Sequence, residues 1–362
     1  MTTLLEGIAQ ETVQTDRLRA SVLRCAGTGA EADSGAGAAE DAAAPIVLIH
    51  GNVSSSLFFQ PLMLALPRPS IAIDLRGFGD SETLPVDATR GLRDFSDDVA
   101  SVLDALGVSG AHVVGWSMGG GIVLQLLLDR PELVRSLTLQ APVPPQGFGT
   151  RLDGSLCTTD AAGTGGGGAN ADFVARLAAG DASADEQSSP RSVYRSSYVA
   201  PGFQDGHEDL WVESMLTTRT GVGNYPGDGV ESASWPGFAA GDFGVLNAMS
   251  GKHLDLAGIV DAASKPPILW VRGAHDAIVG DESFFDLHTL GKHGVVPGWP
   301  GEAIAPPQPM LAQTRAVLDA YASNGGSYQE VVFEGAGHSP HLEDPARFRE
   351  LLLQHVAAAE AA

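Results

Sequence analysis

Gly110-Ala111-His112-Val113-Val114-Gly115-Trp116-Ser117-Met118-Gly119-Gly120-Gly121 is the stretch around which the chain is arranged. Ala111 to Val114 reads as a short buried strand. Gly119-Gly120-Gly121-Ile122-Val123-Leu124 reads as the start of a helix. Between them, Gly115-Trp116-Ser117-Met118-Gly119 is a G-x-S-x-G. A serine held on a sharp strand-to-helix turn needs neighbours without side chains, because the backbone doubles back on itself. Such a turn projects Oγ outward and aims the first amides of the helix at whatever that oxygen attacks. The expectation is a nucleophilic serine at 117, whose partners the rest of the chain must supply.

Composition narrows what those partners can serve. The chain has 362 residues, enough for a sizeable core, and 44% of them are hydrophobic. No apolar run approaches the roughly 18 residues of a membrane span. Met1 to Glu11 lacks the basic-then-apolar order of a signal peptide, and Cys25 and Cys157 form neither a disulfide framework nor a metal-ligand spacing. A reducing cytoplasm is the expected location. The 44 acidic residues against 21 basic ones leave a net charge of −23, and Lys252, Lys265 and Lys292 are the only lysines. A polyanion or an anionic membrane would be repelled, so no nucleic-acid or membrane partner is expected. Neither a metal nor a cofactor is called for, and the oligomeric state is left open.

Outward from the serine, strand and helix patterns alternate. Residues 12–25 suggest a hairpin turning near Asp16-Arg17, and residues 26–44, mostly Ala, Gly, Asp, Glu and Ser, a flexible connection. Pro45-Ile46-Val47-Leu48-Ile49-His50-Gly51 is a continuous apolar run ending in glycine, as in a central parallel strand. Similar runs lie at 70–74, 111–114, 137–139, 267–271 and 330–333. Phe95, Val99, Val102, Leu103 and Leu106 recur at helix spacing behind Asp94, Asp97 and Asp98. A last helix covers Pro345 to about Ala359. This alternation predicts an α/β, doubly wound and mostly parallel sheet, with ligands at the carboxyl ends of its strands.

The alternation stops at Ala141-Pro142 and resumes at Lys265-Pro266-Pro267. Residues 1–141 and 265–362 are therefore read as the core domain and 142–264 as a large inserted cap. The cap leaves one strand end and returns for the next strand, which places it over those ends. Its aromatics and methionines build the cap's own core and, in part, a pocket wall. Trp211 and Met215 in the cap, with Phe58 and Trp116 in the core, are the candidate pocket residues. Gly163 to Gly168 lacks the Lys-Ser/Thr of a phosphate loop and reads as a mobile cap loop.

A serine hydroxyl is a weak nucleophile near neutral pH. It needs a base, and the base needs an acid that fixes its tautomer. Past the strand ending at Val271 comes Arg272-Gly273-Ala274-His275-Asp276, and past Phe333 comes Glu334-Gly335-Ala336-Gly337-His338. The order Ser117, Asp276, His338 is nucleophile, acid, base. His341, His275, Asp281 and Glu282 are the rivals. Leu139-Gln140-Ala141-Pro142, at the end of the strand after the serine helix, holds no carboxylate. Arg76 and Asp80 are expected to brace their own loop.

With His50-Gly51-Asn52, Asp74-Leu75-Arg76-Gly77-Phe78-Gly79-Asp80-Ser81, the serine turn, and Gly337-His338 followed by Glu343 and Pro345, residues 45–141 and 265–357 resemble the α/β-hydrolase fold superfamily. The resemblance implies an oxyanion hole from the backbone N–H groups of Asn52 and Met118. Haloalkane dehalogenases and epoxide hydrolases share some of these motifs but carry aspartate where Ser117 stands. Acyl transfer to water remains: a serine esterase or lactonase acting on a small to medium, largely apolar molecule. Carbon–carbon or amide hydrolysis by the same residues, or a ligand-binding member with a dormant site, are the alternatives. Between Asp276 and His338 lie 61 residues (277–337), about twice what a compact member carries. The extra piece, 280–310, is expected to be a long loop forming a second wall of the active-site mouth.

Overall fold

Eight strands form one sheet in the computed structural model, which describes residues 2–28 and 43–361. They are β1 (Ala9–Gln14), β2 (Arg19–Cys25), β3 (Ile46–Ile49), β4 (Ser70–Ile73), β5 (Ala111–Trp116), β6 (Val134–Gln140), β7 (Ile268–Gly273) and β8 (Tyr328–Phe333). Their spatial order is β1-β2-β4-β3-β5-β6-β7-β8. The β1–β2 hairpin and its junction with β4 are antiparallel, and every other pairing is parallel. Of the connection read at 26–44, residues 29–42 lie outside the described residues.

β3, β4 and β5 are buried at every position, which is why they read as continuous apolar runs and not as alternating ones. β5 sits mid-sheet, with Gly115 level with Ile49 of β3 and Leu139 of β6. Parallel pairing puts the carboxyl ends of β3 to β8 along one edge. The chain therefore delivers Asn52, Ser117, Asp276 and His338 to the same side of the sheet.

The helices pack in pairs. α1 (Arg93–Ala105) lies against α2 (Met118–Asp129), and Gln60–Ala65 lies against the carboxyl-terminal helix Pro345–Glu360. α2 is apolar nearly all round and correspondingly buried. The loop after β4 is tied down by Arg76, whose guanidinium grips Asp98 of α1 through two bonds of 2.6 and 2.8 Å and donates to the Pro85 carbonyl. Asp80 accepts instead from Gln10 on β1. The two residues thus fasten the loop to different neighbours.

Residues 142–264 add no strand to the main sheet among the described residues. They hold short helices, including Ala171–Ala179 and α3 (Glu208–Leu216), a π-helical turn at Tyr194–Tyr198, and two small ladders. Buried Asn247 organises their centre: its Oδ1 accepts from Gly166 and Gly241 N–H, and its Nδ2 donates to the Asp228 and Phe243 carbonyls. The glycine run, expected to be a mobile loop, is a close-packed one. A Cβ at Gly165 would fall 2.1 Å from Asn247 Oδ1, and one at Gly166 2.4 Å from the Asp228 carbonyl oxygen. Gly166 answers to close approach, and Gly165, at φ 82°, to close approach and to a left-handed backbone together.

Candidate active site

Ser117 has φ 59° and ψ −120°, a conformation that L side chains rarely adopt. Three backbone bonds hold it there: its N–H donates to the Gln140 carbonyl (2.9 Å), and its own carbonyl accepts from Gly120 (2.9 Å) and Val143 (3.0 Å). The flanking glycines are steric requirements. A Cβ on Gly115 would lie 2.3 Å from the Gly119 carbonyl oxygen, and one on Gly119 2.2 Å from that of Ile49. The turn forces the strand and helix together so tightly that only hydrogen fits. Met118 opens α2, so its N–H has no acceptor one turn back.

His338 and Asp276 meet in the loops after β8 and β7. The imidazole Nδ1 donates to Asp276 Oδ2 at 2.9 Å and Oδ1 at 3.0 Å, and both side chains are 2% exposed. Asp276 Oδ1 also accepts from the N–H groups of Ile278 and Val279, which fixes the carboxylate independently of the ring. With Nδ1 so engaged, the Nε2 lone pair is the free one. Ser117 Oγ has no hydrogen-bond partner among the described residues; nucleophile–base bonds are commonly loose before substrate arrives.

Asn52 is fixed from both sides. His50 Nδ1 and Ser54 Oγ each donate to the Gly51 carbonyl at 2.8 Å. A trans peptide points its N–H opposite its C=O, so the Asn52 N–H is turned the other way. His50 can donate from Nδ1 because its Nε2 accepts from Leu75 N–H (3.0 Å), and burial pulls its pKa down to about 4, keeping it neutral. On the far side, the Tyr198 hydroxyl donates to the carbonyls of Asn52 (2.9 Å) and Val53 (3.2 Å).

Ser117, His338 and Asn52 line one cavity of about 420 Å³. Its remaining wall comes mainly from residues 142–264, including Phe148, Phe173 and Tyr225, and from Ile278 to Leu290. Among the described residues no lysine or arginine lines it. Asp286 does, but its oxygens are occupied by the N–H groups of His288, Thr289 and Gln308 and the Thr289 hydroxyl. Phe284 and Phe285 stand at the wall 62% and 50% exposed.

The four pocket candidates read from the sequence are placed elsewhere. Trp116, Phe58, Trp211 and Met215 are sealed from solvent and absent from the cavity wall. Phe58 is sandwiched between Trp116 and Trp211, each ring 5.0 Å away. These large rings bury more surface against each other than a cavity wall could offer. Trp116 still bears on the site: its Nε1 donates to the His338 carbonyl (2.9 Å). Tyr198 is the contributor that the sequence did not single out, whereas residues 284–290 of the cavity wall fall in the 280–310 loop expected beside Asp276. Of the rivals, His341 is buried against Gln140 with its pKa pulled down to about 3 by that burial, Asp281 accepts from Leu311 N–H, and His275 is exposed.

A family model described as alpha/beta hydrolase fold matches residues 44–156. The chain has the α/β-hydrolase fold. An esterase of Exiguobacterium antarcticum superposes with a TM-score of 0.57 at 17% identity, covering 96% of this chain and 100% of the other. A carboxylesterase of Bacillus subtilis gives 0.56 at 15% identity, over 97% and 92%. Among curated proteins, a 2-hydroxymuconate semialdehyde hydrolase of Pseudomonas sp. (strain CF600) is 40% identical over 112 residues, 30% of this chain and 37% of that protein. A pimeloyl-[acyl-carrier protein] methyl ester esterase of Neisseria meningitidis is 38% identical over 104 residues, 28% of this chain and 37% of the other. The chain thus spans little more than a third of the length of these two curated relatives. Among the described residues no helix is long and apolar enough to cross a membrane, and no three His, Cys, Asp or Glu side chains cluster as metal ligands would.

Proposed function

We propose that this α/β-hydrolase-fold chain is a serine hydrolase of small to medium, largely apolar and uncharged carboxylic esters or lactones. The observation that carries the reading is the cavity shared by Ser117 and a His338 whose Nδ1 is tied to buried Asp276.

In this reading His338 Nε2 takes the Ser117 proton as Oγ adds to the acyl carbon. The Asn52 and Met118 N–H groups stabilise the tetrahedral oxyanion, each worth roughly 3–4 kcal/mol. The imidazolium, held by Asp276, returns its proton to the departing alcohol oxygen. Water, deprotonated by the same nitrogen, then releases the acid and restores Ser117. Residues 142–264 act as a cap over this chemistry, and the 280–310 loop as a second wall.

The cation-free lining supports an uncharged substrate, since a buried carboxylate would lack a compensating charge. It weighs against a substrate like the hydroxymuconate named for one relative, and nothing in the cavity favours an amide or carbon–carbon bond. The test is hydrolysis of a panel of p-nitrophenyl esters and simple lactones by wild type and Ser117→Ala. Turnover by wild type alone supports the reading, and equal turnover by both overturns it.

A further inference from the structure

Residues 198–200 of the insertion reach two places that the proposed chemistry depends on. Tyr198 donates its hydroxyl to the Asn52 carbonyl (2.9 Å) and the Val53 carbonyl (3.2 Å). Val53 is a β-branched residue at φ 48°, a strained left-handed conformation that persists only where neighbours hold it. Its turn carries the peptide next to the proposed oxyanion donor.

Two residues on, Ala200 N–H donates to Glu343 Oε1 at 2.6 Å. The other oxygen of that carboxylate accepts from Gly337 (2.8 Å) and Ser339 (3.3 Å), the amides on either side of His338. The backbone of the insertion lies so close that a Cβ on Gly337 would fall 2.7 Å from Ala200 N. The ring of Tyr198 is buried edge-on to both His338 and Trp116, with centroids 6.1 and 5.8 Å away. Segment 198–200 therefore spans from the loop of the proposed oxyanion donor to the loop of the proposed base, 146 and 138 positions away in the chain (198 − 52 and 338 − 200).

We infer that Tyr198 is a positioning residue: its hydroxyl holds the Asn52–Val53 turn so that the Asn52 N–H faces the developing oxyanion, with Glu343 registering the same segment against His338. The inference rests on the serine-hydrolase reading above. Its consequence is that the insertion is part of the machinery for transition-state stabilisation as well as a cover for the substrate.

Tyr198→Phe removes only the oxygen and leaves the ring packing in place. With p-nitrophenyl hexanoate, the expected result is that kcat and kcat/KM fall together by about 10- to 100-fold, because the interaction lost is one realised in the transition state. A trifluoromethyl ketone of the same chain length, which adds to serine as a tetrahedral oxyanion, should weaken by a similar factor. The matching methyl ketone should bind as before. A merely structural or pocket-wall role would move KM or both inhibitors alike, and either outcome overturns the inference, as does a Tyr198→Phe enzyme equal to wild type. Should that variant fail to fold, Glu343→Gln, whose carboxamide must turn its NH2 toward either the Ala200 N–H or the Gly337 and Ser339 N–H groups, is expected to give the same split between the two ketones; an unsplit result contradicts it. If Ser117→Ala retains wild-type turnover, the hydrolase reading itself fails, and the two failures are told apart.

Discussion

His338 Nδ1 donates to both oxygens of Asp276, while Asp276 Oδ1 also receives the Ile278 and Val279 amides. In Asp276→Asn those two amides would keep the carboxamide oxygen, turning the NH2 toward the imidazole. Nδ1 would then have to accept, and the proton would move to Nε2, where a base needs its lone pair. The expected loss in kcat is on the order of 10³–10⁴ with the fold intact, measured on an activated ester beside a melting curve. A loss below tenfold would remove Asp276 from the proposed site.

The glycines of the turn predict a stability effect separable from chemistry. Gly119→Ala would place its Cβ 2.2 Å from the Ile49 carbonyl oxygen and 2.7 Å from that of His50, both backbone atoms that cannot swing aside. The expected cost is on the order of 3 kcal/mol, read as a lower urea midpoint. An unchanged midpoint would mean that strand and helix are not so closely apposed.

Buried His50 predicts a pH dependence of folding. Burial holds its imidazole near a pKa of about 4, against about 6.5 when unfolded. Below pH 6.5 the unfolded chain takes up a proton that the native one refuses, so stability falls as pH drops toward 4 and this contribution then levels off. The share is on the order of 3 kcal/mol. Urea unfolding at pH 7, 5.5 and 4.5 should show wild type losing more than His50→Asn, whose neutral side chain has no such term. Parallel curves would contradict it.

The lining without lysine or arginine predicts discrimination by charge. p-Nitrophenyl hexanoate and the mono-p-nitrophenyl ester of adipate match in length and differ in a terminal carboxylate. The neutral ester should be preferred in kcat/KM by about 100-fold, because the carboxylate would be desolvated without a partner. Equal kcat/KM would show that the acyl end stays in solvent.

Much of this was legible because it is local. The positive φ of Ser117 and the contacts of Gly115 and Gly119 arise within one turn, so the pattern of glycines announces them. Asp276 and His338 follow strand ends whose apolar runs are equally plain. The pocket was not legible. Whether an aromatic faces a cavity or another ring depends on how residues 142–264 fold over the edge, and Phe58, Trp116 and Trp211 chose each other. Tyr198 reaches the Asn52 carbonyl across a separation that no spacing rule covers, whereas the wall at 284–290 lies in the loop expected after Asp276. Gly337, directly before His338, is the neighbour that His341 lacks. The structure adds a reason: that glycine admits Ala200.

The central claim is that Ser117 is a nucleophile activated by His338, and covalent labelling tests it most directly. Intact-protein mass spectrometry after exposure to a fluorophosphonate should show one phosphonyl adduct on wild type, located to the peptide carrying Ser117. Ser117→Ala should show none, and His338→Ala should label about 10³-fold more slowly. An unlabelled wild type, or labelling that survives Ser117→Ala, would contradict the account.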